Sequence, residues 1–532
     1  MYVSLLEAPA TSIPSRHCGA GWPDAPFIEQ RAYLVAGEIR QWAGACLAVE
    51  SPMTRPGPAG AQVHVPLGSL PAMDADASLA ALAAASAAWN HGRGEWPCKT
   101  VSQRIACVER LAMLMTQKRS EVIALIMWEI AKPQLDCARE FDRTLTYIHK
   151  TIAALKVITD DNARVLAIEG TMGRLRRASL GVVLCMGPYN YPLNETFTTL
   201  IPALLMGNTV VLKPPRLGAL CYGPLLESFR DAFPAGVVNT VYGDGETVVP
   251  PLMKSGDIAV LALIGSSRVA DQLKKMPPKS NRLRVVLGLD AKNPAIILAD
   301  ADMALAVREC VLGALSLGGQ RCTALKILFV HRSVAHAFTA RFVAAVNALK
   351  IGMPWEEGVQ ITPLADPHRI AWLKACLDEA QTRGAGIVNE GGGEVCGMLM
   401  KPAVLYPADT AMRICLEEQF GPVVPIVPFD DISTVIDYIV ASPFGQQISL
   451  FGREAATLGL LAGVFTGQVS RVNINAQCKR SPDEFPFTGR KDSAEGTLSV
   501  VDALRAFSIR SMVATPESEA GRALLASMLT DT

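Results

Sequence analysis

Short apolar runs alternate with helical patterns through the middle of the chain. Strand-like apolar runs, each followed by a helical pattern, occur at 181–186, 209–212, 237–242 and 258–264. Apolar runs of this length between helical segments are typical of strands buried in a parallel sheet. The same rhythm begins again after residue 298 and continues to residue 474. The pattern therefore predicts two α/β units, each with a parallel sheet and helices on both faces.

The segments that flank these units have different patterns. Helical periodicity covers 74–89, 100–117, 120–130 and 134–158. Residues 1 to about 30 are rich in Pro, Ala and Ser without periodicity, so we expect a loosely ordered extension there. The arginine-rich segment 164–180 indicates an exposed strand pair. The tail from 500 to 513 has a strand-like pattern, as expected for an arm that leaves the second unit.

Composition narrows the class of protein. Lys plus Arg and Asp plus Glu number 50 each in 532 residues, so the charge balance favours neither nucleic acid nor an anionic membrane as partner. This length is typical of about three domains. The 13 cysteines form no CxxC pair and no Cys/His cluster, which fits a reducing cytosol and predicts no metal site. Without a signal-peptide pattern or a long apolar run, we expect a soluble cytoplasmic protein.

One thiol has the surroundings of a nucleophile. Cys322 lies in the stretch GGQRCT, after a helical pattern and before a strand-like run, where a side chain can face a cleft. Two glycines allow the backbone to approach a ligand closely. The guanidinium of the adjacent Arg321 favours the thiolate, which is the nucleophilic form. The alternative is a buried, inert cysteine, as expected by default for any one of many.

Polar residues follow several of the predicted strands. Asn190, in the motif PYNYP, offers an amide that could donate to a developing oxyanion, although an Asn in an ordinary turn is the alternative. Lys213 and Arg216 end the next strand and could hold a ribose or a phosphate, unless they are solvated charges. Gly265 and Ser266 end another strand and open a helix, where backbone N–H groups suit an anion. No GxGxxG motif follows a strand.

Taken together, these motifs resemble the aldehyde dehydrogenase superfamily, and within it the glyceraldehyde-3-phosphate branch that uses NADP. In chain order they are PYNYP, VLKPP, a strand ending in GS, KNPAIIL, GQRCTA, EEQFGPV and SPDEFPFTGRKDS. The resemblance covers roughly residues 32 to 515 and implies two parallel-sheet α/β domains with a β oligomerisation arm. The implied segments are an extension 1–31, a dinucleotide-binding domain 32–163 and 181–290, a catalytic domain 291–475, and an arm and tail 164–180 and 476–532. Arms of this kind pair subunits, so a homodimer or homotetramer is implied.

The resemblance also implies a mechanism in which a cysteine captures the substrate. Cys322 attacks the aldehyde, and Asn190 and the Cys322 backbone N–H stabilise the oxyanion. Hydride then passes to a nicotinamide, which leaves a thioester on Cys322. Lys213 and Glu418 would hold the ribose hydroxyls of the cofactor, and Phe420 would pack near the nicotinamide ribose.

The cofactor implied by one substitution is NADP. Many members that use NAD have a glutamate three residues after the lysine, and it binds the ribose 2′-hydroxyl. This chain has Arg216 at that position, and a guanidinium attracts a 2′-phosphate.

The substrate implied by a second match is a phosphorylated aldehyde, with glyceraldehyde 3-phosphate as the leading candidate. In the glyceraldehyde-3-phosphate branch, arginines and a tyrosine hold the substrate phosphate. The matching residues here are Arg143, Tyr191, Arg321 and Arg480, and we add Thr323 beside the nucleophile. Taken singly, each arginine could equally be a surface charge, but a rigid guanidinium fork suits a phosphate.

The chain departs from the family pattern at the residue that activates water. The family has a glutamate where this chain has Gly288, and a helical lysine where it has Thr199. A glycine cannot act as a general base. Asp290, which would share a face with Gly288 in a regular strand, or Glu195 could substitute. Alternatively, the acyl group passes to coenzyme A or phosphate, or the protein is a catalytically impaired NADP- and metabolite-binding protein.

Overall fold

A computed structural model describes residues 22–56, 62–162 and 165–527 of the chain. The elements of its first part are β1 Ile28–Glu29, β2 Ala32–Val35, β3 Glu38–Gln41, β4 Cys46–Pro56, β5 Gln62–Pro71, α1 Ala75–Trp89, α2 Glu95–Cys98, α3 Val101–Gln117, α4 Arg119–Ile130, α5 Gln134–Asn162, β6 Val165–Ile168 and β7 Thr171–Ser179. Of the extension predicted for residues 1–31, residues 1–21 lie outside the described residues. From Trp22 the chain is packed, because the Trp22 ring contacts Trp128 and Trp355 and β1 pairs with β5.

The first large sheet has six strands in the order β10, β9, β8, β11, β12 and an edge strand, Ala494–Glu495. Its elements are β8 Val182–Met186, α6 Asn194–Leu205, β9 Thr209–Lys213, α7 Leu226–Ala232, β10 Val238–Thr240, α8 Gly245–Ser255, β11 Ile258–Ile264, α9 Ser267–Lys274 and β12 Arg284–Gly288. All neighbours are parallel except the edge strand. The helical pattern that follows 209–212 forms only the short helix α7, because a 3-10 turn at Leu220–Leu225 that contains Pro224 precedes it.

The second large sheet has seven strands in the order β15, β18, β19, β14, β13, β21 and β22, parallel apart from β15. Its part of the chain contains β13 Asn293–Ile297, α10 Met303–Leu315, β14 Leu325–His331, α11 Arg332–Asn347, α12 Pro367–Thr382, β15 Gly386–Ile387, β16 Val395–Cys396, β17 Leu399–Met400, β18 Ala403–Tyr406, α13 Arg413–Leu416, β19 Val423–Phe429, α14 Ile432–Ala441, β20 Phe444–Gly445, β21 Gln447–Phe451, α15 Ala455–Thr466 and β22 Arg471–Ile474. The inner strands β13, β14 and β21 are almost wholly buried, as parallel strands with helices on both faces require.

The last part of the chain crosses back over both sheets. Its elements are β23 Arg490–Lys491, β24 Ala494–Glu495, α16 Val500–Ala506, β25 Ser508–Pro516 and α17 Glu519–Ser527. β23 pairs with β20, β24 pairs with β12, and β25 pairs along its whole length with β7, which pairs with β6. The three-stranded arm therefore joins 165–179 to the tail. The predicted domain boundaries stay a prediction.

The strand-like tail predicted for 500–513 is wrong in its first half. Residues 500–506 form α16, because Ser499 caps its first turn by accepting from the Asp502 N–H at 3.0 Å. The apolar side chains Ala503 and Leu504 are buried against α5 and α6. The tertiary contact, which the local pattern does not contain, selects the helix.

Candidate active site

One cavity of about 1590 Å³ lies between the two large sheets. Residues that follow β8, β9, β11 and β12 line one side of it, at the carboxyl ends of these strands. Residues that precede β14 and β19 line the other side. The residues predicted for catalysis, cofactor and substrate all line this cavity: Cys322, Asn190, Lys213, Arg216, Gly265, Ser266, Glu418, Phe420, Arg143, Tyr191, Arg321, Thr323, Arg480, Asp290 and Glu195.

The loop that carries Cys322 is held in a fixed backbone path. Gly319 has a φ of +75°, and a Cβ atom there would clash with the carbonyl oxygen of Gly421. Only glycine fits this close approach of two loops. The Cys322 carbonyl oxygen accepts from Asn293 Nδ2 at 2.8 Å and from Lys326 Nζ at 3.2 Å. The thiol is therefore partly open to the cavity on a loop anchored from behind.

The electrostatics of the thiol differ from the sequence prediction. The pKa of Cys322 is raised to about 11, chiefly by burial and also by the negative charges of Glu195 and Glu418. Lys326 and Arg480 oppose this shift. At pH 7, roughly one thiol in ten thousand is ionised at such a pKa. A nucleophilic role therefore requires charge or hydrogen-bond changes when ligands bind.

Arg321 is not the cation that activates this thiol, which corrects the prediction from its adjacency. Its Nη2 donates to the carbonyl oxygens of Leu312 and Gly313 at 3.2 and 2.8 Å. These carbonyls belong to the last turn of α10, where a cation is favourable. Adjacency in sequence does not fix the direction of a long side chain, and the guanidinium caps the helix.

Asn190 is brought to the Cys322 loop by its side chain. The buried amide Nδ2 donates to the carbonyl oxygen of Gln320 at 2.8 Å, two residues before the cysteine. An amide nitrogen carries two N–H groups, so one can still donate to a substrate oxygen. This geometry is compatible with the predicted oxyanion role.

A buried ion pair that the sequence did not reveal fixes the turn after Asn190. Lys132 Nζ bonds Glu140 Oε2 at 2.6 Å and the Asn190 carbonyl oxygen at 3.1 Å, and both charged side chains are fully buried. Glu140 Oε1 accepts the N–H groups of residues 193–194, each at 3.0 Å. The Lys132 ammonium also lies 3.4 Å from the ring centroid of Tyr191. No local motif marks this pair, because its partners meet only in the folded chain.

The predicted cofactor residues include groups without full protein partners. Lys213 Nζ has one hydrogen-bond partner in the described chain, the Pro214 carbonyl oxygen at 3.2 Å. Burial lowers the pKa of Lys213 to about 8, against the attraction of Asp244. Arg216 is exposed at the cavity wall and has no ion pair or hydrogen bond within residues 22–56, 62–162 and 165–527. Ser266 caps α9.

Glu418 presents one oxygen to the protein and one to the cavity side. Its Oε1 bonds Lys326 Nζ and accepts the Ala291 N–H at 3.1 Å. For Oε2 there is no hydrogen-bond partner among the described residues. Burial keeps the pKa of Glu418 above its usual value, against the attraction of Lys326.

The predicted substrate arginines are held by carboxylates. Arg480 bonds Glu195, and its Nε lies 3.8 Å from Asp483 Oδ1. Arg143 Nη2 bonds the same oxygen of Asp483 at 2.8 Å. Arg480 also stacks on the ring of Phe487, with its Cζ atom 4.7 Å from the centroid. Asp483 was missed in the sequence, although it stands three residues after Arg480 in the SPDEFPF motif.

Neither candidate for a substitute base is free. The prediction that Asp290 shares a strand face with Gly288 is wrong, because β12 ends at Gly288. Asp290 Oδ2 instead accepts from both the N–H and the hydroxyl of Ser267, each at 2.7 Å, at the start of α9. Glu195 is engaged by Arg480. Both carboxylates therefore have structural partners.

Comparison with known proteins supports one family. A sequence model described as the aldehyde dehydrogenase family matches residues 58–513. The chain belongs to the aldehyde dehydrogenase family. The resemblance found in the motifs and the predicted α/β fold with two parallel sheets are confirmed.

Individual aldehyde dehydrogenases resemble the chain at similar identity. An NADP-dependent glyceraldehyde-3-phosphate dehydrogenase of Streptococcus equinus is 31% identical over 445 residues, which cover 83% of this chain and 91% of the relative. Human retinaldehyde dehydrogenase 3 is 32% identical over 428 residues, covering 78% and 81%. The crystal structure of the NADP-dependent glyceraldehyde-3-phosphate dehydrogenase of Bacillus halodurans, complexed with NADP, superposes with a TM-score of 0.83 at 30% identity over 92% and 99%. Sequence identity to these relatives therefore does not determine which aldehyde the chain oxidises.

Groups of metal-ligating side chains and membrane-spanning helices are absent from the described part of this aldehyde dehydrogenase. Within the described residues, no group of three or more His, Cys, Asp or Glu side chains could hold a metal ion. In the same part of the chain, no helix combines the length and apolarity that a membrane crossing needs.

Proposed function

We propose that this aldehyde dehydrogenase uses NADP to oxidise a phosphorylated aldehyde through a thioester on Cys322. Glyceraldehyde 3-phosphate is the leading candidate for that aldehyde. The observation that carries the proposal is that a single cavity is lined by the cysteine, the Asn190 amide, an Arg216 without a partner among the described residues, and two arginines from distant parts of the chain. A cavity with a few converging polar groups is the usual form of a small-molecule site.

The residues around Cys322 suit covalent capture of an aldehyde. The sulfur, as thiolate, forms a bond to the carbonyl carbon, and the negative charge moves to the carbonyl oxygen. The second N–H of the Asn190 amide and the Cys322 backbone N–H stabilise that oxygen. NADP, when bound, supplies the acceptor for the hydride that leaves the same carbon. The product on the enzyme is a thioester, whose acyl group needs an acceptor.

The cofactor proposal is supported by the unpartnered groups on one side of the cavity. Arg216 is exposed and without an ion pair among the described residues, so it is free to bind a 2′-phosphate. Lys213 Nζ and Glu418 Oε2 retain bonding capacity for ribose hydroxyls. Ser266 opens α9, where a backbone N–H suits a pyrophosphate, whereas the Gly265 N–H already donates to the Gly288 carbonyl oxygen at 2.9 Å, so Gly265 would contribute only its lack of a side chain.

Replacing Arg216 by serine will shift cofactor preference from NADP toward NAD. A hydrogen bond to a charged group contributes about 1.5–3 kcal/mol, so the ratio of kcat/KM for NADP to that for NAD should fall roughly 10- to 150-fold. Steady-state kinetics with each cofactor measures this ratio. Arg282→Ser, at an exposed arginine outside the cavity, should leave it within about twofold of wild type. A wild-type ratio that already favours NAD tenfold would contradict the NADP proposal.

The substrate proposal is supported by the way Arg143 is bonded. One nitrogen of its guanidinium faces Asp483, and its side chain is 36% exposed. Its Nε and Nη1 have no hydrogen-bond partner in the part of the chain that the structure describes. A planar guanidinium can therefore bind a phosphate through these groups without losing the ion pair.

Arg143→Gln will raise KM for glyceraldehyde 3-phosphate about tenfold, since a charged hydrogen bond to the phosphate is lost. The KM for unphosphorylated glyceraldehyde should change less than about twofold. The matched control is Arg119→Gln, at an arginine outside the cavity that is 39% exposed and paired with Asp142. Equal losses on both aldehydes would remove Arg143 from the phosphate site.

The fate of the thioester has a second candidate, transfer to coenzyme A or phosphate. The observation that favours it is the bonding of both possible bases: Asp290 to Ser267 and Glu195 to Arg480. Each carboxylate already accepts hydrogen bonds from these partners, so it is not free to orient an attacking water. A catalytically impaired NADP- and metabolite-binding protein is the third candidate, and absence of any NADPH burst would favour it.

We also propose that the arm pairs subunits into a homodimer or homotetramer. Its strands expose the apolar side chains of Ile168 and Met512, at 65% and 62%. Exposed apolar side chains on a sheet edge are covered when a second subunit packs there. Light scattering should give a molar mass of two or four times the 56.8 kDa of one chain. A monomeric mass at micromolar concentration would contradict this pairing.

A further inference from the structure

Lys326 is a buried ammonium group to which the proposed chemistry gives no role. It lies on β14, four residues after Cys322, and its side chain is 1% exposed. Its Nζ bonds Glu418 Oε1 and donates to the Cys322 carbonyl oxygen at 3.2 Å. The same nitrogen lies 5.5 Å from the ring centroid of Phe420. One cation thus contacts the cysteine loop and the Glu418 loop together.

Burying an ammonium group in this way costs free energy unless the charge is well paired. An ammonium group without water needs a counter-charge and acceptors for its remaining protons. Glu418 supplies the counter-charge, and the Cys322 carbonyl oxygen supplies a second acceptor. The two partners come from loops that precede different strands, β14 and β19, so Lys326 fixes the position of one loop relative to the other.

We propose that Lys326 is a positioning residue that couples the ribose-binding carboxylate of Glu418 to the loop and the reactivity of Cys322. The proposal rests on the proposed function for the roles of Glu418 and Cys322. Because Oε1 of Glu418 is occupied by Lys326 and by the Ala291 N–H, Oε2 is the oxygen left for ribose hydroxyls. A ribose hydroxyl that donates to Oε2 draws negative charge away from Oε1, so the carboxylate holds Lys326 less strongly and the ammonium charge acts more fully on the sulfur.

The charged groups around the sulfur single out Lys326 for this role. Glu195 and Glu418 are the anions near Cys322, and Lys326 and Arg480 are the cations. Arg480 is bonded to Glu195, whereas Lys326 donates directly to the Cys322 peptide. Lys292, another buried lysine of this region, bonds the Gln419 side chain and the backbone carbonyl oxygens of Ile414 and Glu417, and the described structure shows no hydrogen bond from it to Glu418 or Cys322.

Alkylation of Cys322 by iodoacetamide, followed by peptide mass spectrometry over pH 6–10, tests this role without turnover. In Lys326→Met the rate at pH 8 should fall about tenfold, because a one-unit rise in the thiol pKa cuts the thiolate fraction tenfold. Saturating NADP should change the alkylation rate of the wild type and leave that of Lys326→Met unchanged. Lys326→Arg, which keeps the charge, should restore most of the wild-type rate at pH 8.

A second variant removes the problem of an unpaired buried carboxylate. Lys326→Met leaves Glu418 buried without its partner and can impair folding. The double variant Lys326→Met with Glu418→Gln removes both charges, and its alkylation at pH 8 should be about tenfold slower than that of Glu418→Gln alone. Equal alkylation rates in the double variant and in Glu418→Gln would overturn the proposal. So would a folded Lys326→Met whose alkylation has the same pH profile and the same response to NADP as the wild type. If the wild-type protein itself gives no NADPH burst with glyceraldehyde 3-phosphate, that result counts instead against the proposed function.

Discussion

Cys322→Ala will abolish the burst of NADPH that the wild-type protein gives with glyceraldehyde 3-phosphate, lowering the rate about ten-thousandfold or more. The sulfur is the group that bonds the carbonyl carbon, and removing a covalent nucleophile eliminates the step rather than slowing it. Stopped-flow absorbance at 340 nm measures the burst amplitude, which should equal the concentration of active sites in the wild type. Folding of the variant is checked by its thermal unfolding.

The control for this experiment is a cysteine away from the cavity. Cys396 is exposed and does not line the cavity, so Cys396→Ser should keep the full burst. A burst that survives in Cys322→Ala would show that the thiol is one of the inert cysteines. A burst absent from both variants and from the wild type would favour a binding protein.

Gly288→Glu will increase the steady-state rate of NADPH formation after the burst by about a hundredfold. A positioned general base contributes roughly 10²–10⁴-fold, and the wild type has glycine at this position of the family pattern. The backbone can accept the change, because a Cβ atom on Gly288 would have its nearest neighbours at 3.5 Å from Ile264 and 3.9 Å from Leu498. Release of the acid product, measured with the NADPH rate, confirms that water is the acceptor.

The matched control for this prediction is Gly288→Gln, which has the same shape without a basic carboxylate. It should show the wild-type steady-state rate within about threefold. Equal rates for the two variants would mean that deacylation is not limited by the missing base. Addition of coenzyme A or phosphate to the wild type separates the remaining candidates, because acceleration with formation of an acyl product identifies transfer.

The sequence predicted those parts of the site that stand in local motifs. Asn190 and Cys322 each follow a recognisable strand or helix pattern, so their place at the cavity could be expected. Contacts between distant segments could not be expected in this way. Asp483, which pairs with Arg143 from 340 residues away, and Lys326, which reads as an ordinary strand residue, are defined only by tertiary packing.

The errors have the same origin. Asp290 was expected on a regular strand, but the strand ends two residues earlier and the carboxylate turns to Ser267. Arg321 was expected to act on its neighbour in sequence, but its long side chain reaches back to the carbonyls of α10. In both cases a hydrogen-bond donor or acceptor elsewhere offered a better partner than the one nearest in the chain.

The short strands β23 and β24 restrict how a ligand can enter the cavity. Between residues 490 and 495 the chain pairs first with β20, just before β21 of the seven-stranded sheet, and then with β12 of the six-stranded sheet, whose last residue lines the cavity. A hinge rotation of one sheet away from the other would break one of these pairings. We therefore expect cofactor and aldehyde to diffuse in through fixed openings, with loop and side-chain motion instead of a clamshell cycle.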